Sequence, residues 1–85
     1  MSSSKLLTEL KRGQYAQVLD VRDQYADDSI AQRLRSLGFV PGERVRLQTW
    51  GPLGREPLLI QIGSTRFALR HAEADRVVVE CEAAA

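Results

Sequence analysis

Short stretches in which apolar side chains recur at every second residue, interrupted once by a stretch in which they recur every third or fourth, divide this chain into its elements. After a polar start, Leu6, Leu7 and Leu10 predict one helical or 3₁₀ turn that ends at Gly13. Tyr15 to Arg22 reads as a first strand, with Val18 and Val21 as its strongest β-formers. Asp23 to Asp28 is polar and breaks that pattern. Ser29-Ile30-Ala31-Gln32 then has the spacing of a capping box, in which the serine hydroxyl accepts from the third helical amide and the glutamine reaches back. Ile30, Leu34 and Leu37 follow at i, i+4 and i+7, one apolar stripe, with Gln32 and Arg35 pointing away.

Gly38 stands where a helix stop needs a left-handed residue, and Pro41-Gly42 suits the centre of a type II turn. Alternation returns with Val45, Leu47 and Thr49 against Arg44, Arg46 and Gln48. Gly51 to Pro57 reads as a loop too irregular to carry a ladder. Leu58, Ile60 and Ile62 alternate again, and Gly63-Ser64 closes a tight hairpin onto Arg66 to Arg70, where Phe67 and Leu69 point one way. His71 to Asp75 is a short turn or 3₁₀ corner, Val77 to Val79 the last strand, and residues 1–5 and 83–85 are expected to fray. The outcome is a mostly β domain: five strands, one helix between the first and second, and a short N-terminal helical turn. A small closed barrel is expected, because closure removes edges that would invite aggregation in a sheet so rich in Val, Leu and Ile.

With 85 residues there is room for one core and one domain, residues 1–85, with its packed part over about 6–80. A hydrophobic fraction of 44% and a charged fraction of 27% suit an ordinary globular chain. No apolar run approaches the ~20 residues of a membrane span, and the first residues are too polar for a secretory signal, so a cytoplasmic location is expected. Twelve basic and eleven acidic residues give a net charge of +1, which argues against a strong nucleic-acid footprint. The arginines are scattered rather than clustered.

Candidate chemistry is sparse. One cysteine, Cys81, permits no internal disulfide, and it pairs poorly in sequence with the one histidine as a nucleophile and base. There is no nucleophile elbow and no phosphate-cradling G-x-x-x-x-G-K-[ST] loop, so an enzyme is not expected. The acidic pair Asp27-Asp28 is accounted for by the dipole of the helix that follows. His71, Glu73 and Asp75 offer one nitrogen and two oxygen donors, compatible with a weak, exposed divalent site and short of a closed structural one. Trp50, Pro52 and Leu53 present apolar groups on a stiffened loop, with Arg66 nearby if the hairpin pairs as read; they form a partner-binding patch or else cap the open end of the barrel.

Three ordered segments carry a family likeness. Leu34, Leu37, Gly38, Pro41 and Gly42 form the first, Pro52-Leu53-Gly54 followed by Pro57 the second, and Ala68-Leu69-Arg70 followed by Glu73-Ala74 the third, after an opening of spaced leucines from Leu7 to Gly13. In this combination the chain resembles the FeoA family, small accessory proteins of bacterial ferrous iron uptake, from about Leu7 to Val79. The resemblance implies an SH3-like barrel with the helix packed across it and no catalytic residues. It implies binding to and modulation of FeoB, the membrane protein that imports Fe²⁺ and carries a cytoplasmic G-protein domain, with the chain recruited to the inner face of the membrane. The transporter's G-protein region or membrane part is the expected partner, with weak self-association besides, no nucleic acid and no insertion into the bilayer. No cofactor is required; a weakly held divalent transition metal, Fe²⁺ or Zn²⁺, is the one ion the residues suggest. The alternative is a metal carrier or sensor. Related domains end metal-dependent repressors, but no helix-turn-helix segment accompanies this one.

Gly38→Val should lower stability by about 1 to 3 kcal/mol, since a β-branched residue is forced into the left-handed region at the helix stop. Urea denaturation of the two proteins checks this; coincident curves would mean that Gly38 does not cap the helix.

Overall fold

The computed structural model describes residues 4–82. Six strands, β1 (Ser4–Leu6), β2 (Tyr15–Val21), β3 (Arg44–Leu53), β4 (Glu56–Ile62), β5 (Thr65–Leu69) and β6 (Val77–Cys81), form one antiparallel sheet in the order β1-β6-β2-β3-β4-β5. A 3₁₀ turn (Leu7–Glu9) follows β1, helix α1 (Ser29–Leu37) links β2 to β3, and a one-turn helix α2 (His71–Ala74) links β5 to β6. The mostly β architecture and both early helical elements agree with the sequence pattern. Strand β1 is an addition: Ser4 and Lys5, expected to fray, pair with Glu80 and Val79. Residues 1–3 and 83–85, also expected to fray, lie outside the described residues.

Closure is achieved by packing and not by a continuous ladder. Among the described residues β1 and β5 are the sheet's edges and do not pair with each other. Helix α2 fills that seam, packing on β4 at one side and on the 3₁₀ turn at the other. Its Ala74 is fully buried, and Asp75 beyond it accepts a hydrogen bond from the Thr8 hydroxyl at 2.8 Å. A single core results, drawing Leu7, Val18, Leu34, Leu47, Ile60 and Val79 from six different elements.

Two bulges re-aim side chains that simple alternation assigns elsewhere. In β2 the register against β6 shifts between Val18 and Asp20, which leaves Leu19 exposed and returns Val21 to the core. In β3 the shift between Leu47 and Thr49 turns Thr49 outward and brings Trp50 against the core, so the inward set is Val45, Leu47 and Trp50.

The stop at the end of α1 is built as its sequence predicts. Gly38 has φ 117°, its N–H donates to Arg35 O and that of Phe39 to Leu34 O, both at 3.1 Å, which is a Schellman closure. Phe39 is thereby driven into the core, where its ring meets Phe67 with centroids 5.9 Å apart. Gly42, with φ 91°, completes the Pro41-Gly42 turn closed by the Glu43 N–H on Val40 O at 3.1 Å.

The start of α1 differs from the capping box expected at Ser29. Asp28 is the cap: its Oδ1 accepts from Ile30 N (3.1 Å) and Ala31 N (3.3 Å), and its Oδ2 from Gln24 N (2.9 Å). The deciding partner is Arg76, whose Nε donates to the same Oδ2 at 2.7 Å while its Nη1 donates to Ala72 O. Both side chains are buried, so the helix dipole alone does not account for Asp28. Burial pushes the Asp28 carboxyl up, but the hydrogen bond from Arg76 and those from Gln24 and Ala31 outweigh it and hold the group well below the usual carboxylate range.

A carboxyl with a depressed folded-state pKa adds stability that is complete above its unfolded value of about 4 and is lost as pH falls below it. Asp28→Asn keeps the size and abolishes that charge, leaving a buried guanidinium without its counterion. Thermal unfolding at neutral pH should show a midpoint lower by about 10 °C or more. Repeated from pH 6 down to pH 2, it should show a flatter decline for the variant than for the parent below about pH 4. An unchanged midpoint would remove Asp28 from this role.

Candidate partner-binding site

The far end of the β3–β4 hairpin is the most exposed apolar feature of the described residues, and its shape comes from where prolines can sit in a ladder. Pairing runs Trp50 to Leu58 and resumes at Leu53 to Glu56, so Gly51 and Pro52 together oppose Pro57. The bulge puts prolines where a missing N–H breaks no ladder bond, which is how a stretch read from sequence as a loop stays in strand. Gly51 is required there, because a β-carbon would overlap the carbonyl oxygen of Glu56. Gly54 and Arg55 make the two-residue turn, with φ 64° and 63°.

Helix α2 braces this turn. His71 Nε2 lies 3.2 Å from Arg55 O, an acceptor, so that nitrogen carries the proton. The His71 N–H donates to Glu56 Oε2 at 2.7 Å. The two bonds hold the hairpin end from its β4 side, at the second turn residue and at the residue after it.

Trp50 and Leu53, three positions apart on the same strand, have different fates. Trp50 is half-buried against the core, with the guanidinium carbons of Arg12 and Arg55 at 4.8 and 4.9 Å from its ring centroid. Leu53 is 82% exposed and does not plug the barrel. Pro52 is exposed beside it. Leu53, Glu56, Pro57 and Arg70 line a shallow cleft of about 310 Å³. Arg66 does not join them: it pairs with Gln61, near the opposite end of β4. The cations of this site are instead Arg12, Arg55 and Arg70. No spacing in the sequence brings Arg12 to Trp50, since that contact depends on how the segment before β2 crosses β3.

The three metal-donor candidates point to different tasks. His71 faces Arg55, Glu73 accepts from the Arg70 N–H at 2.8 Å, and Asp75 takes the Thr8 hydroxyl. Among the described residues no group of three or more His, Cys, Asp or Glu side chains is placed to hold a metal ion. Cys81 lies on β6 opposite Ala16 and His71 on α2, each in its own surroundings. Leu34, Leu37, Gly38, Pro41 and Gly42 serve the helix stop and its turn and lie outside this site.

Residues 5–81 match the FeoA domain family. Among solved structures, Stenotrophomonas maltophilia FeoA is 57% identical over 88% of this chain and 88% of that one, with a TM-score of 0.82; it is a complex with zinc, described as a prokaryotic SH3 domain protein whose suggested role is a ferrous iron transport activating factor. Chlorobium tepidum FeoA is 29% identical over 93% of this chain and 71% of that one, with a TM-score of 0.79. A manganese-dependent transcriptional repressor shares the fold at 18% identity, TM-score 0.80, over 96% of this chain and 44% of its own. No curated protein matches the chain.

Proposed function

The chain belongs to the FeoA family, among whose solved structures one is given the suggested role of a ferrous iron transport activating factor and another is an iron uptake regulatory protein, and from that membership we propose that it is a cytoplasmic accessory protein that binds and modulates a FeoB-type ferrous iron transporter. It is recruited by that transporter to the inner face of the membrane; among its described residues no helix is long and apolar enough to cross one. The contact surface is the β3–β4 hairpin end. The observation that carries this reading is Leu53, 82% exposed on a turn braced by His71 and Glu56. A rigid support keeps the ordering cost of binding small, and a leucine rimmed by Arg55 and Arg70 suits an apolar pocket edged with carboxylates.

A second reading, a transition-metal carrier, is supported by the zinc complex of the Stenotrophomonas relative. In this chain His71 is the one imidazole, and its donors do not converge with Glu73 and Asp75. Metal binding is therefore weak in the monomer and completed by ligands from another molecule.

Leu53→Ala should weaken capture of the transporter's cytoplasmic region by about 2 kcal/mol while the thermal midpoint moves by no more than about 2 °C. Undiminished binding and iron uptake would refute the hairpin as the contact. Calorimetric titration with Zn²⁺ should give a weak signal that grows with protein concentration and falls in His71→Ala. A tight one-to-one complex lost in that variant would favour the carrier over the transporter-binding module.

A further inference from the structure

On the outer face of the sheet, away from the hairpin end, four strands place their side chains in one row: Tyr15 on β2 is directly opposite Arg46 on β3, Arg46 opposite Gln61 on β4, and Gln61 opposite Arg66 on β5. Arg44, one pleat along β3, flanks the row. Tyr15, Glu43, Arg44, Arg46 and Gln61 line a groove of about 420 Å³.

The chemistry of this row is directed to carboxylates. The guanidinium carbons of Arg44 and Arg46 lie 3.8 and 5.0 Å from the Tyr15 ring centroid, so one aromatic platform orients two forks. Arg44 already uses its fork: Nε and Nη2 donate to the two oxygens of Glu82 at 2.7 and 3.0 Å. That hydrogen bond holds the Glu82 carboxyl below the usual carboxylate range. Arg46 spends Nε on Gly13 O at 3.2 Å, and among the described residues neither Arg46 nor Arg66 has a carboxylate partner. Gln61 between them is fixed by Gln48 at 2.6 Å and by Gly63 O at 2.9 Å. The row thus has one arginine filled by the chain's own carboxylate and two open ones.

We propose that the Tyr15–Arg46–Gln61–Arg66 row, flanked by Arg44, is a second binding surface whose occupant is an extended acidic segment of a partner protein, with its carboxylates on Arg46 and Arg66. Strands two places apart are separated by about 10 Å, a span matched by acidic residues three apart on an extended polyproline II segment, which returns to the same face every third residue at about 3.1 Å per residue. A nucleic acid fits less well: Glu43 and Glu82 border the groove, and a net charge of +1 gives a polyanion little long-range attraction. The arginines are rigid forks on a sheet, which suits planar carboxylates better than a flexible lysine patch would. This surface is independent of the hairpin reading and its test needs no transporter.

Fluorescence anisotropy with a labelled proline-rich, polyproline II-forming peptide of about eight residues, glutamate at every third position, measures it at low ionic strength. Saturable binding is expected, absent from the counterpart with glutamine for glutamate. Arg66→Gln and Arg46→Gln should each weaken it by about threefold or more, and Glu82→Gln should tighten it by releasing Arg44. Arg66 is exposed, so its variant keeps the fold even if Arg46→Gln disturbs the Gly13 contact; a thermal melt verifies this. Arg33→Gln on α1, where that side chain faces Glu73 of α2 and not the row, should have no effect. Binding that is unaltered by Arg66→Gln, equally weakened by Arg33→Gln, shared by the glutamine peptide, or matched by a thymidine oligonucleotide of the same length would overturn the proposal.

Discussion

The buried pair of Asp28 and Arg76 is the contact on which the rest of this small domain depends. One carboxylate takes four donors, from the loop before α1, from the first turn of α1 and from the segment entering β6. Arg76 in turn donates to Ala72 O in α2, and its own carbonyl accepts from Arg22 at the end of β2 at 2.7 Å. A domain of this size has little apolar area to spare, and an ion pair removed from water contributes only if its remaining hydrogen-bonding capacity is met. Here no buried side-chain nitrogen or oxygen among the described residues lacks a partner. The pair therefore settles where α1 begins and how α2 approaches the sheet seam.

The position of α2 connects that core contact to the surface. Because α2 lies across the seam between the edge strands, its first residue reaches the β3–β4 turn, and His71 and Glu56 tie the two together. A hairpin end, marginal in isolation, is held at its turn, with left-handed Arg55 kept in place by the same bonds. The exposed leucine at that end is thereby presented by a braced element, the condition under which a small apolar surface contributes to binding with little ordering cost.

The sheet carries two faces of different character. Its hairpin end offers Leu53 and Pro52 among cations, and its outer row offers arginines stacked on Tyr15. Both set exposed side chains on fixed backbone, apolar area at one and guanidinium forks at the other. The chain belongs to the FeoA family, one of whose structures is given the suggested role of a ferrous iron transport activating factor.

Local signals were legible wherever one residue's own conformational preference decides the structure. Gly38 ends α1 because only a residue without a β-carbon adopts φ 117° cheaply, and Pro41-Gly42 and Gly63-Ser64 make their turns for similar reasons, so these elements follow from the sequence by itself. The apolar stripe of α1, the mostly β character and the ordered family segments are of the same kind. What the tertiary structure decided are the matters in which two distant segments compete for one group. Asp28 and not Ser29 caps the helix because Arg76, 48 residues away, needs a buried counterion. Trp50 and not Thr49 faces the core because β4 forces a bulge on β3, and Gly51 to Pro57 stays in strand on both sides of the Gly54-Arg55 turn because the two strands supply register on either side of the prolines. Arg66 stands opposite Gln61 and not beside Trp50 because cross-strand pairing, not sequence distance, assigns neighbours in a sheet. Short-range sterics are written residue by residue, whereas pairing and burial are properties of the folded chain as a whole.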